Sequence, residues 1–350
     1  MASLPDQFRE QYADGIRAGS THFDAVWARD SLFACFGALA LKDYDIVRKN
    51  LDLLLNNLQD GHVALRIGYK SQLRKYLGLP SGNAAVHNQD KGSNESYDAN
   101  SLLLVVAEKY EHETLKKLDR EKLVQVTGWL DRHDREHLLH EGPYSSWEDS
   151  LNLTGPRLYT NVCYYRALAA AAKLFKDPVY ATRAVQTKIA VRRWWNGTYF
   201  TDGPNRDVCM TAGNLLAILW GIADPQQSRK ILEYMSSRKT MMPPASDKPA
   251  KKNEVPWYMR LIGLGQYHGT MEWSWLAAAE IACYHCLGEH DEAYKRDTRL
   301  RELIEEYGSA YELWEHDVPV KKLFYKSEKD FSWTMGLLIA SQPATLSILR

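Results

Sequence analysis

The chain has 350 residues, 45% of them hydrophobic and 25% charged, enough apolar material to bury a sizeable core. Lys plus Arg number 44, as do Asp plus Glu, so no net charge draws in a polyanion; nucleic acid and a membrane surface are not expected partners. Cys35, Cys163, Cys209, Cys283 and Cys286 are too few and too scattered for a disulfide-stapled secreted domain. With neither an export signal nor a membrane-length apolar run, a cytoplasmic location is expected.

Strand signals are scarce, whereas apolar residues recur at three-to-four spacing, which predicts an all-α chain. In order, helices are expected near 5–18, 30–41, 43–59, 98–111, 121–134, 157–175, 178–191, 211–222, 225–237, 271–287, 289–306 and 331–341. Their connections alternate. Brief turns at Lys42-Asp43, Lys176-Asp177-Pro178, Ala223-Asp224-Pro225 and Gly288-Glu289 follow every second helix, and the 112–120 link is also short. Long segments fill the other gaps, near 19–29, 60–97, 135–156, 192–210, 238–270 and 307–330. Antiparallel helices joined this way gather all long loops at one end, and six such hairpins closed in a ring make an (α/α)6 barrel. No linker divides the chain, so residues 1–350 are expected to form one domain with one decorated face. Residues 238–254 read as a flap.

The long loops carry the chemistry-bearing residues. Trp27-Ala28-Arg29-Asp30 opens the second predicted helix and Tyr97-Asp98-Ala99-Asn100 the fourth; in each, the Asp is either a helix cap or an acceptor for a ligand hydroxyl. Ser145-Ser146-Trp147-Glu148-Asp149-Ser150 sets two adjacent carboxylates beside a Trp. His268-Gly269-Thr270-Met271-Glu272-Trp273 and Tyr311-Glu312-Leu313-Trp314 follow in later loops. Cleavage of a glycosidic bond needs one carboxylic acid to protonate the leaving oxygen and a second carboxylate to activate water or attack carbon. Tryptophan faces stack on sugar rings, and the sequence holds eleven Trp and twenty Tyr. A phosphate loop, a Gly-x-Ser-x-Gly elbow and a His-Glu-x-x-His helix are all missing from it. Cys283-Tyr284-His285-Cys286 lies in a predicted apolar helix without a second ligand pair at zinc spacing. No metal and no organic cofactor is expected.

Taken in order, Trp27-Ala28-Arg29-Asp30-Ser31-x-Phe33, Trp147-Glu148-Asp149-Ser150, Gly269-Thr270-x-x-Trp273 and Tyr311-Glu312-Leu313-Trp314 with Phe331-Ser332-Trp333 resemble the (α/α)6 inverting glycosidases. The nearest likenesses are the glycogen-debranching glucosidases and the family of processing α-glucosidase and mannosylglycerate hydrolase, glycoside hydrolase family 63. The resemblance implies that Asp149 is the general acid and Glu312 the general base. It implies further that Trp27, Arg29 and Asp30 hold sugar hydroxyls; Asp98, Trp147, Glu148, Trp273, Trp314 and Trp333 are expected to complete the substrate site. The middle motif here reads Trp-Glu-Asp, so Glu148 competes with Asp149 as the acid. The β-rich domain that many relatives carry before the barrel is not expected. The implied activity is exo-acting release of a terminal α-linked hexose, glucose first among candidates, with Asp149 held protonated by a dry setting and Glu312 ionised. Rivals are a glucosyl- or mannosylglycerate hydrolase, an uronyl hydrolase, a lyase, an epimerase, or a barrel that binds glycan without catalysis. Lys70, Arg74, Lys75 and His87, with Tyr69 and Tyr76, crowd the 60–97 loop and would suit an acidic aglycone such as glycerate.

Overall fold

A computed structural model describes residues 3–71, 79, 82–88, 95–238 and 240–350. The chain is all-α, with short strands confined to the connections. Its helices are α1 (Leu4–Arg9), α2 (Ala28–Ala40), α3 (Tyr44–Leu55), α4 (Asp98–Thr114), α5 (Arg120–His133), α6 (Leu158–Phe175), α7 (Pro178–Arg192), α8 (Thr211–Leu219), α9 (Pro225–Ser236), α10 (Trp257–Leu261), α11 (Ser274–Cys286), α12 (His290–Tyr307), α13 (Ser332–Ala340) and α14 (Leu346–Leu349). The first helix is shorter than its sequence predicts, ending at Arg9 rather than near 18. Beyond it the chain bends, and its backbone bonds other segments: the Ala18 N–H donates to the Ala25 carbonyl and the Ala18 carbonyl accepts from the Ser332 N–H.

Two layers of helix follow from the alternating connections. Helices α2, α4, α6, α8, α11 and α13 each pack on the next, and α13 packs on α2. Outside them, α3 lies on α2, α5 on α4, α7 on α6, α9 on α8, α12 on α11 and α1 on α13. The layers differ in sequence as their burial demands. Helix α11 is buried all round except at its final Cys286, whereas α12 shows the core only Ala293, Leu300, Leu303 and Ile304. The short turns start the outer helices cleanly: the Asp177 and Asp224 side chains cap α7 and α9 from the residue before Pro178 and Pro225. Where α13 meets α2 the backbones almost touch. A β-carbon on Gly37 would stand 2.4 Å from the Gly336 Cα, so both positions require glycine for packing rather than for turn geometry.

The strands tie the long loops together. They are β1 (Val26–Trp27), β2 (Arg66–Tyr69), β3 (Asn83–Val86), β4 (Asp134–Arg135), β5 (Leu138–Leu139), β6 (Glu272–Trp273), β7 (Leu313–Glu315), β8 (Val318–Pro319), β9 (Lys321–Lys322) and β10 (Tyr325–Lys326). Antiparallel pairing sets Val26 opposite Ile67 and Trp273 opposite Leu313, fixing two Trp-bearing segments at their helix starts. Each run is too short for period-two alternation to stand out in sequence, so the sequence signals none of them. The 238–254 segment does not stand free as a flap. Ser246 bridges Met210, Pro244 bridges Glu272, and Arg206 forms an ion pair with Glu254.

Candidate active site

A cavity of about 240 Å³ opens where the long loops meet. Its wall holds Trp27, Arg29, Asp30, Trp147, Asp149, Trp273, Glu312 and Trp333. Residues from across the chain thus share one wall because α2, α11 and α13 all begin at it. Trp27 and Trp273 are the N-cap residues of α2 and α11; Phe331, another wall residue, is that of α13. Asp30, in the first turn of α2, faces the partial positive charge of that helix end. Neither Asp30 nor Asp98 serves as a cap, since Trp27 and Tyr97 hold the N-cap positions without side-chain bonds.

Three expected substrate contacts lie behind the wall. The buried Asp98 carboxylate accepts from Arg29 on two oxygens, from Ser96 Oγ at 2.8 Å and from Tyr159 Oη at 3.0 Å. It is therefore an anchor for Arg29 rather than a ligand group, because its acceptor sites are filled by protein. Glu148 turns away from the cavity, where its Oε1 accepts from the Trp147 indole at 2.7 Å and its Oε2 from Ser146 Oγ at 2.6 Å. Glu148 opens a turn in which its carbonyl accepts from the Leu151 N–H at 2.9 Å and Asp149 is the next residue, which separates the two carboxylates. Trp314 is fully buried, with its indole N–H donating to the Tyr311 carbonyl at 2.8 Å.

Of the three carboxylates left in the wall, the expected acid and base sit in unlike settings. Asp149 keeps 19% side-chain exposure and lies 3.9 Å from the Arg29 guanidinium. Glu312 is 2% exposed; Tyr267 Oη donates to its Oε1 at 2.5 Å and Tyr325 Oη to its Oε2 at 2.7 Å. Burial pushes Glu312 up to about 8, against the pull of both hydroxyls, with Glu328 and Asp30 adding to the rise. Burial likewise moves Asp30 up to about 7, opposed chiefly by Arg29. The expected dry setting around Asp149 is thus corrected: the buried member is Glu312, and a cation stands beside Asp149.

Sequence reasoning passed over Tyr267, Tyr325, Met259, Ile262, Leu264 and Phe23, all in the wall. Tyr267 immediately precedes the His268-Gly269-Thr270 motif, a position that could have marked it; Tyr325 carries no local signal. His268 is also in the wall, stacked on Trp273 at 5.1 Å, and its Nδ1 accepts from the Ser150 N–H at 3.3 Å beside Ser150 Oγ at 2.8 Å. That contact joins the Asp149 loop to the loop before α11. Among the described residues, the indole N–H groups of Trp27 and Trp333 are buried and meet no protein acceptor. Of the basic-loop residues, Arg74, Lys75 and Tyr76 lie outside the described residues. Tyr69 donates to the His22 carbonyl, the Lys70 carbonyl accepts from Arg66, and the His87 ring lies 5.5 Å from that of His62, tilted by 50°. In the Cys283-Tyr284-His285-Cys286 run, Cys283 Sγ donates to the Leu215 carbonyl and His285 Nδ1 meets His290 Nδ1 at 2.9 Å.

No protein-family model matches the chain, and no curated protein matches its sequence. Solved structures match its fold. One described as "Glycosidase Wild Type" aligns with a TM-score of 0.69 over 99% of this chain and 98% of its own, at 13% identity. A glycosidase variant in complex with glucose aligns over the same shares with a TM-score of 0.70, also at 13% identity. The GH63 mannosylglycerate hydrolase from Thermus thermophilus, in complex with Tris and D-glycerate, gives 0.69 over 96% of this chain and 99% of its own, at 14% identity. The chain therefore shares the fold of these glycosidases over nearly its whole length and nearly all of theirs.

Proposed function

We propose that the chain is a single-domain (α/α)6-barrel glycoside hydrolase that releases a terminal α-linked hexose, glucose first among candidates, with inversion at the anomeric carbon. One observation carries the reading: Asp149 and Glu312, distant in sequence, meet in one tryptophan-walled cavity. That is the pair of carboxyls glycosidic cleavage requires, and the wall is of the kind on which a sugar ring stacks. The fold shared with solved glycosidases supports it.

In this reading Asp149 protonates the departing oxygen and Glu312 draws a proton from the attacking water. Hydroxyl donors on both Glu312 oxygens oppose the burial that raises it to about 8, so it takes the ionised form that a base needs as pH approaches that value. Arg29, held by Asp98, and Asp30 bind sugar hydroxyls, and the unfilled indole N–H groups of Trp27 and Trp333 are further donors. The test is proton NMR of the first sugar released from an α-glucoside. Initial β-glucose is expected; initial α-glucose rules out single displacement. An inactive wild type that still binds glucosides would favour a glycan-binding barrel.

A further inference from the structure

The cavity wall is chemically divided. Arg29, Asp30, Asp149 and Glu312 form a polar part suited to a hexose, whereas residues 259–264 contribute Met259, Ile262 and Leu264, and Phe23 is a further apolar residue of the wall. Aliphatic side chains offer nothing to a sugar hydroxyl or a carboxylate. Arg29 is the one Arg or Lys of the wall among the described residues; its Nε and Nη2 donate to Asp98, which leaves Nη1, beside Asp149, for the hexose. The apolar character continues outward on the segments that carry these residues. In α10, Trp257 is 68% and Leu261 73% exposed; at the tip of the β9–β10 turn, Leu323 is 86% and Phe324 55% exposed. The two segments are neighbours, since a β-carbon on Gly263 would stand 3.3 Å from the Lys322 side chain. Large exposed apolar side chains gathered beside a ligand cavity mark a surface that something apolar covers.

Resting on the hydrolase reading above, we propose that the substrate is a hexoside with an apolar aglycone, an alkyl or aryl group that lies along Met259, Ile262 and Leu264 and leaves across the Leu261 and Leu323 rim. Neither a second sugar nor a small acid matches that half of the wall. The ligand is argued from continuity: the exposed apolar residues belong to the segments that line the catalytic cavity.

The experiment compares hexyl with methyl α-D-glucoside, measured as binding to the Asp149→Asn variant by calorimetry and as kcat/KM of the wild type. Burial of two or three methylenes gives about tenfold, so the hexyl glucoside is expected to bind at least about tenfold more tightly. Ile262→Asp should draw the hexyl-to-methyl ratio towards one. Equal binding of the two glucosides, no binding of either, or tighter binding of glucosylglycerate than of the hexyl glucoside overturns the inference. Wild type that prefers the hexyl glucoside yet cleaves neither would leave the inference standing and remove the hydrolase reading. Cleavage of both with equal kcat/KM would do the reverse.

Discussion

The loops that carry Asp149 and Glu312 reach the same cavity by opposite means. Behind Asp149 the loop rests on buried charge: Glu148 bonds Trp147 and Ser146, Glu141 accepts from Thr160, and Arg157 and Arg206 share Asp202. Around Glu312 the partners are phenol hydroxyls, and the chain is held by backbone bonds, from the Glu312 N–H to the Glu328 carbonyl and through β6 and β7. Glu312 is raised by burial among hydroxyls, whereas Asp149 keeps partial exposure with a cation beside it, so two carboxyls in one cavity sit in unlike settings.

The sharpest way to break the comparison is to neutralise each acid. Asp149→Asn and Glu312→Gln should each lower kcat on an α-glucoside by about 10²–10⁴-fold. Retention of activity by either variant removes that residue from the mechanism. Glu148→Gln separates the neighbours: its effect should stay below about tenfold, through looser seating of Trp147. A loss equal to that of Asp149→Asn would move the acid role to Glu148.

Packing gives the next largest effect. Gly37→Ala forces a methyl group into the α2–α13 contact and should cost about 1–3 kcal/mol, read as a lower denaturation midpoint in urea. An unchanged midpoint would mean that the ring closes more loosely than described.

The pH profile sharpens the contrast. With Glu312 near 8 and acting as base, kcat/KM should fall as pH drops below about 8. Tyr325→Phe removes a donor that lowers this value, so the limb should move to higher pH, and each unit of movement costs about tenfold at pH 7. A decline above pH 8 in place of the acid limb would reverse the two roles.

The same shift acts on stability. Glu312 at about 8 exceeds its ordinary 4.5, so between these values the folded chain holds a proton that the unfolded chain releases. Stability from this group is fully present below about 4.5 and is lost as pH rises through 8; Asp30, at about 7, acts with the same sign. Glu312→Gln should therefore gain midpoint on the wild type as pH is raised from 5 to 8. A constant difference across that range would deny the shift.

Much of this was legible in the chain itself. Three-to-four periodicity marked the long helices because each needs an apolar face, and all-round apolar α11 against one-faced α12 already distinguishes inner from outer layer. Asp-Pro pairs marked the starts of α7 and α9, since capping and proline geometry act within one turn. The Trp-centred motifs pointed to Asp149 and Glu312 through their resemblance to those of the (α/α)6 glycosidases, and the fold sets both in one cavity. Tertiary structure alone decided that Glu148 faces inward and Asp149 the cavity, that Asp98 is filled by Arg29 and Tyr159, and that Tyr325 reaches Glu312. It also decided which carboxyl is dry. Burial and hydrogen-bond partners are set by residues far away in sequence, so a motif can name the carboxyls while only the closed fold sets the environment in which each holds or releases its proton.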